Sequence, residues 1–192
     1  MRANLTAVLS VLAGLCACSS VDRFNAPPLA GAPATSALVL VRVDASVRGF
    51  NDSRSLQVVT GGTLERIDDG RRFEGTAVAG YLVFSGLEPG PYRLTTVRTT
   101  WNNLTYVVPH LYTVPLDSAR AYDLSLRTGE PCFLGVVAVE DVTTPSERGI
   151  YFELKDIANA EMKAWTWFIG IYPGSPWVDV ARRGPSEACT RR

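Results

Sequence analysis

Two cysteines near the amino terminus are the residues whose type and spacing most directly indicate chemistry. They lie in the segment Leu15-Cys16-Ala17-Cys18. A thiol that follows a short apolar run and a small residue is suited to accept a covalent lipid when the leader before it is cut off. Cys18 follows small Ala17, whereas Cys16 follows bulky Leu15. We therefore expect Cys18 to be the acceptor.

The residues before Cys18 have the order of an export signal. Arg2 lies beside the amino terminus, an apolar run covers residues 7–15, and small residues surround the processing site. The run is well short of the roughly 20 residues that a membrane-spanning helix needs. Residues 15–18 resemble the lipobox of bacterial lipoproteins, which implies removal of residues 1–17 and a palmitate-type lipid on Cys18. An ordinary secretory signal that is cut nearby is the alternative.

Cys132 and Cys189 are the other two cysteines, an even pair in a compartment that permits disulfides. We predict a disulfide between them, which would close a loop of about 57 residues and attach the C-terminal tail to the strand that begins at Cys132. Two free buried thiols are the alternative. Two cysteines and one distant histidine cannot supply a closed shell of four ligands, so no metal site is predicted.

Catalytic groups are sparse in this chain. Its only histidine, His110, lies between Pro109 and Leu111, and no Gly-x-Ser-x-Gly elbow or phosphate-binding glycine loop occurs. A hydrolase needs a nucleophile, a base and an oxyanion hole in one place. Asp68-Asp69-Gly70 lacks the alternating acidic ligands of a calcium loop and predicts a turn. The chain is therefore predicted not to be an enzyme and to need no cofactor. A hydrolase assembled from residues that no motif marks is the alternative.

Aromatic residues are the remaining candidates for binding. Trp101, Asn103 and Tyr106 combine ring faces with an amide, which is the combination that sugar recognition uses, so they predict contact with a cell-wall glycan such as peptidoglycan. A second aromatic cluster covers residues 165–177, and Trp167 lies on a different side of the predicted helix from its neighbours. Core packing is one interpretation of that cluster. A surface for a partner protein, anchored by Trp167, and a surface on which a glycan stacks are the others.

The bulk composition excludes several classes of partner. The chain has 192 residues, 46% of them hydrophobic, and its 19 basic residues balance 19 acidic ones. No global field therefore attracts nucleic acid. After removal of residues 1–17 the chain is long enough for one well-cored domain with a small appendage.

The elements that must position these residues fall into three regions after the signal. Residues 18–36 are rich in Pro, Ala and Ser and predict a flexible tether of up to about 55 Å. Residues 37–155 contain short branched runs with frequent turn residues, which favours an antiparallel β-sandwich with a hairpin turn at Gly61-Gly62. Residues 156–192 predict one amphipathic helix, from Asp156 to Ile171, and a tail packed on the sandwich.

The segment Phe84-Ser85-Gly86-Leu87-Glu88-Pro89-Gly90-Pro91-Tyr92-Arg93-Leu94 resembles the L-x-P-G-x-Y-x-L turn of transthyretin-like (prealbumin-like) β-sandwich modules. In those modules the turn joins adjacent strands, and its aromatic residue and leucine point into the core. The strand order is similar to that of small bacterial lipoproteins whose sandwich domain has no assigned activity. Residues 134–138 resemble sandwich lipoproteins that anchor envelope-spanning secretion machines. These resemblances bear on fold more than on function.

Together these features predict a lipid-anchored protein of the bacterial cell envelope that acts as a non-catalytic binding or assembly module. The acylated Cys18 would bind the bilayer, and another envelope protein would be the partner. Ser19 stands where similar lipoproteins that stay at the inner membrane carry an aspartate, which favours the periplasmic face of the outer membrane. A glycan-binding module and a component of an envelope-spanning secretion machine are the alternatives.

Overall fold

The computed structural model describes residues 26–49, 54–101, 110–115, 122–155, 157–183 and 190–191. Eleven strands and two helices lie within these residues. In chain order the elements are β1 (Ala37–Arg48), β2 (Arg54–Leu56), β3 (Val58–Arg66), β4 (Arg72–Val78), β5 (Tyr81–Leu87), β6 (Gly90–Trp101), β7 (His110–Pro115), β8 (Tyr122–Leu126), β9 (Pro131–Thr143), β10 (Arg148–Lys155), α1 (Ala160–Ile171), α2 (Val178–Arg182) and β11 (Thr190–Arg191).

All eleven strands belong to one curled sheet. Its main path runs β10-β9-β1-β5-β4-β3-β6-β8-β11, while β2 pairs with β1 and β7 pairs with β6. The mainly β class with a C-terminal helix, predicted from the sequence, is confirmed. One strand pair differs from the predicted antiparallel arrangement, because β1 and β9 run parallel, with Val39 opposite Cys132 and Val43 opposite Val137. The sheet is therefore mixed.

An inner core fills the concave side of the curled sheet. Strands from both halves of the sheet contribute to it, so the two halves face each other as the layers of a sandwich do. Its largest members are Phe84 and Tyr92, both almost wholly buried. Tyr92 and Leu94 lie here, as the Pro-Gly turn predicts, and that turn joins β5 to β6 at residues 88–89.

An outer core lies on the opposite face of β1, β5 and β9. Leu38 and Leu40 of β1 point to it, whereas Val39 and Val41 point to the inner core. Both faces of this half of β1 are thus buried, which explains its continuous apolar run. The outer core is covered by α1 and α2, and its members from these helices and the turn between them are Ala160, Ala164, Trp165, Phe168, Tyr172, Trp177 and Ala181.

Helix α1 begins at Ala160, so the predicted start at Asp156 was wrong; Asp156 itself lies outside the described residues. Asn159 precedes the helix with φ 60° and makes no side-chain cap. Of the stripe expected at residues 157, 160, 164, 168 and 171, Ala160, Ala164 and Phe168 are buried, whereas Ile157 precedes the helix and Ile171 is half-buried. The helix ends at Ile171, before Pro173-Gly174. A second helix, α2, was not predicted, because five residues are too few to show a helical period.

The predicted hairpin turn at Gly61-Gly62 was also wrong, since both glycines lie inside β3. A Cβ on Gly61 would lie 2.7 Å from the Arg98 guanidinium, and a Cβ on Gly62 would lie 2.6 Å from a Leu82 methyl group. These glycines therefore permit close approach of neighbouring side chains. A two-residue hairpin turn joins β4 to β5 at Ala79-Gly80, where both residues have positive φ, 46° and 81°.

Residues 26–36 are not the free tether that the sequence predicted. Ala26 and Leu29 pack against the outer core. The amide of Ala30 donates to the Ser85 hydroxyl at 2.9 Å, and Ser36 is buried and hydrogen-bonded to the Ala32 carbonyl. The proline-rich composition suggested a solvated chain, but residues without their own periodicity can still lie against a preformed surface.

Candidate functional site

A groove of about 570 Å³ opens on the outer face of the sheet, beyond the area that the helices cover. We call it the outer-face groove. It lies across β1, β9 and β10, and the end of β2 with the residue that follows it borders the groove. Its side chains on this face are Arg42, Asp44, Ser46, Ala138, Glu140, Tyr151, Glu153 and Lys155, with Leu56 and Gln57 at its border.

Strand register arranges these side chains in rows across the three strands. Asp44 lies opposite Ala138, and Ala138 lies opposite Glu153. In the adjacent row Ser46 lies opposite Glu140, which in turn faces Tyr151. Directly opposite residues share a face of the sheet, so a small alanine forms the floor between two carboxylates.

Ion pairs neutralise part of the charge in and around the groove. The Arg42 guanidinium lies 3.0 Å from the Asp44 carboxylate. Arg48 lies 3.8 Å from Glu140 and 3.3 Å from Glu147. Glu153 and Lys155 make no ion pair within the described part of the chain, although they are exposed neighbours on one strand. The groove therefore offers one negative and one positive charge to a ligand.

Tyr151 of β10 forms part of the rim of the groove. Its hydroxyl donates to a Glu147 carboxylate oxygen at 2.7 Å. This hydrogen bond is the larger cause, and partial desolvation the smaller, of a pKa for Tyr151 above its ordinary value of 10.0. Leu56 on the border near β2 is 84% exposed. Aromatic side chains are enriched where proteins contact one another, and Tyr151 supplies one at this groove.

This arrangement can bind a polar surface that carries both positive and negative charges. Charged and hydrogen-bonding side chains dominate the groove, so it does not suit a wholly apolar ligand. In the described part of the chain, no three His, Cys, Asp or Glu side chains are grouped so that they could hold a metal ion. No helix in the same residues is long and apolar enough to cross a bilayer.

The residues that the sequence proposed for glycan binding are only partly described. Trp101 is the last residue of β6, and its backbone pairs with His110 of β7. Asn103 and Tyr106 lie outside the described residues, as do Cys18 and Cys189. A site made by Trp101, Asn103 and Tyr106 thus stays a prediction.

The second aromatic cluster is mainly core. Trp165, Phe168, Tyr172 and Trp177 are all buried in the outer core, which confirms the packing interpretation for these residues. Trp167 is half-buried and stacks on Tyr81, with ring centroids 4.1 Å apart and planes 17° apart. Its predicted contact with a partner protein stays a prediction.

Cys132 is disulfide-bonded and lies buried in the inner core near the start of β9. Strand β11 directly follows Cys189 in the chain and pairs with β8, where Thr190 lies opposite Ser125. The disulfide at Cys132 excludes the alternative that this thiol is free. Its pairing with Cys189 stays a prediction.

The outer-face groove could not be predicted from the sequence, because most of its residues come from three separate strands. The one local signal was the alternation of Arg42, Asp44 and Ser46 with apolar residues in the second half of β1. Comparisons with models of protein families, with curated proteins and with solved structures found no match. The resemblance to transthyretin-like modules therefore stays a prediction, and function has to be argued from the geometry.

Proposed function

We propose that this chain is a lipid-anchored protein of the bacterial cell envelope that acts without catalysis, as a binding or assembly module. The observation that carries the proposal is the disulfide at Cys132. Disulfides persist in oxidising compartments outside the cytoplasm. The disulfide therefore supports export by the signal of residues 1–17, which the acceptor role of Cys18 requires.

The packing of residues 26–36 supports a short anchor. If Cys18 carries the lipid, the seven residues 19–25 are the only part of the tether without a described contact to the domain. Fully extended, seven residues span about 22 Å at about 3.1 Å per residue. Because Ala26 and Leu29 pack on the outer core, this anchor would hold the helix-covered face of the domain close to the bilayer.

The outer-face groove supports the binding role. It lies on the same side of the sheet as the helices and the N-terminal segment, and it presents Glu153 and Lys155 without intramolecular ion pairs in the described residues. A polar surface with both charge signs favours a specific partner protein through complementary charges. The groove would thus face partners near the membrane surface.

Lipid labelling tests the anchor. Cells that express the wild type, Cys18→Ala or Cys16→Ala are grown with an alkyne analogue of palmitate, and the purified full-length proteins are compared. Label on the wild type and on Cys16→Ala, with loss on Cys18→Ala, is the expected result. Label that survives on Cys18→Ala would refute the assigned acceptor, and absence of label on the wild type would refute the anchor.

In-cell crosslinking followed by affinity capture from solubilised membranes tests the binding role. The wild type is compared with a variant that carries Glu153→Gln and Lys155→Gln, and with Trp167→Ala. Met162→Ala is the matched control on α1, since Met162 is 61% exposed. We expect that one partner protein captured by the wild type is not captured by the variant with Glu153→Gln and Lys155→Gln. The same partner is expected to be captured by Met162→Ala. Failure of the wild type to capture any partner would refute the proposal.

A further inference from the structure

Strand β10 is an open edge of the sheet. It pairs with β9 over its whole length, from Arg148 opposite Thr143 to Lys155 opposite Val136, with no bulge. No other described strand pairs with it, and it ends the path of the sheet. None of residues 149–155 is buried. Among the described residues, the outward backbone groups of this strand therefore have no strand partner.

The inner face of β10 carries an apolar row up to this edge. Phe152 and Leu154 pack partly against the inner core, and Ile150 continues the row with 47% of its surface exposed. An open, regular and apolar edge is a site at which strands pair between chains. A neighbouring strand with its own apolar row would extend the inner core across the edge.

We propose that β10 pairs antiparallel with β10 of a second copy of this chain, about a two-fold axis that passes beside Phe152. In this register Phe152 faces its own symmetry mate, and Ile150 faces Leu154 of the second copy. Glu153 then faces Tyr151, and Lys155 faces Gly149, which has no side chain to obstruct it. Apolar residues thus oppose apolar residues, and no like charges are directly opposite.

The alternation of side chains excludes most other registers. A shift by one residue would set the apolar row against the charged face, because directly opposite residues lie on the same face. A shift by two residues in one direction places Glu153 opposite Glu153. The same shift in the other direction places Leu154 opposite Arg148. The register centred on Phe152 is the one in which the strand complements itself over residues 149–155.

The position of the N-terminal segment favours a second copy as the occupant. Antiparallel strands related by a two-fold axis normal to the sheet keep their inner faces on the same side. Both outer cores, and therefore both copies of Ala26 and Leu29, then lie on one side of the joined sheet. Two lipid anchors would reach the same bilayer, where confinement raises the effective concentration for a contact of modest area. This anchor argument rests on the proposed function, whereas the strand pairing does not.

Cysteine crosslinking in cells tests the register on the full chain. At the two-fold axis the Cα atoms of Phe152 would lie about 4.5–5.5 Å apart, which a disulfide can bridge. We expect Phe152→Cys to give a disulfide-linked dimer on a non-reducing gel. Glu153→Cys is the matched control on the same strand, because it lies diagonal to its mate at about 7–8 Å. We expect at least a fivefold lower yield from it.

A second pair of variants keeps the test independent of the partly buried Phe152. Copies that carry Ile150→Cys and copies that carry Leu154→Cys are expressed together, and only the mixed pair is expected to crosslink efficiently. Ile150→Lys, at an exposed position, is expected to weaken dimer formation at least tenfold in detergent, as measured by light scattering after size-exclusion chromatography. The fold of this variant is checked by circular dichroism.

Several outcomes would overturn the inference. Equal crosslinking of Phe152→Cys and Glu153→Cys would show random collision, and linkage to a different protein would show another occupant. A wild-type chain that stays monomeric, with no crosslink in cells, would exclude the pairing.

Palmitate label on Cys18 with a monomeric chain would leave the proposed function standing. A dimer without label would remove the anchor and leave the pairing.

Discussion

Gly62→Ala adds one methyl group at a position where the structure leaves no room for a side chain. The new Cβ would lie 2.6 Å from a Leu82 methyl group and 2.9 Å from the backbone oxygen of Thr96. Leu82 is fully buried, and the Thr96 oxygen belongs to the neighbouring strand β6, so neither can move aside cheaply. Overpacking of this kind costs about 1–3 kcal/mol. Replacing a strand glycine by alanine returns about 0.5–1 kcal/mol of chain entropy. We expect a net loss of about 1–2 kcal/mol.

The matched control is Gly170→Ala in α1, where the added Cβ meets no atom within 4 Å. The same chemical change is expected to stabilise the protein there, by about 0.5–1 kcal/mol, because alanine favours the helix. Urea unfolding of the full-length chain, followed by tryptophan fluorescence, measures both free energies of unfolding. A third variant, Gly62→Ala with Leu82→Ala, is expected to lose less than the sum of its single changes, since the smaller side chain relieves the clash. The steric argument would be refuted if Gly62→Ala unfolded with the wild-type free energy or a higher one. It would also be refuted if the losses in free energy of unfolding of Gly62→Ala and Leu82→Ala were strictly additive.

Two further predictions rest on particular contacts, and a third tests the glycan-binding alternative. Cys132→Ser and Cys189→Ser are each expected to lower the free energy of unfolding by about 4 kcal/mol, and the double variant by no more than either, because one disulfide closes a loop of about 57 residues; urea unfolding checks this, and additive losses would contradict the pairing. The hydrogen bond from Arg98 holds the pKa of Glu74 below its ordinary 4.5, so its stabilising effect is fully present above pH 4.5 and is lost as the pH falls through the lower folded value. Glu74→Gln should therefore cost stability at pH 6 and cost progressively less on acidification, and a difference that is constant with pH would count against this ion pair. Trp101→Ala is expected to abolish retention on immobilised cell-wall glycan if the glycan-binding alternative is correct; a wild type that is not retained would remove that alternative.

Much of the fold could be predicted because local patterns specify it. The apolar run of β1, the Pro-Gly turn after β5 and the buried stripe of α1 depend on residues that are close in sequence. Their periods follow from backbone geometry, so they are visible without a structure. The start of α1 was misplaced because Asn159 precedes it without a side-chain cap, and the expected signal at Asp156 was a local preference only.

The candidate site could not be predicted in the same way. Asp44, Ala138 and Glu153 come together only because β9 adds parallel to β1 and β10 then adds antiparallel to β9. Each of these residues, viewed within its own strand, is an ordinary exposed or partly exposed position. Register between distant strands is a property of the whole sheet, and no local period reports it.

The sequence by itself determined the mainly β class, the C-terminal helix and the expectation of export with a lipid on Cys18. These depend on composition, short motifs and periodicity within one segment. The tertiary structure alone decided that Gly61 and Gly62 lie in a strand, that residues 26–36 lie on the domain, and that β10 ends the sheet formed by the described strands. The physical reason is that these features depend on which atoms surround a residue after folding, and those atoms come from parts of the chain that are far away in sequence.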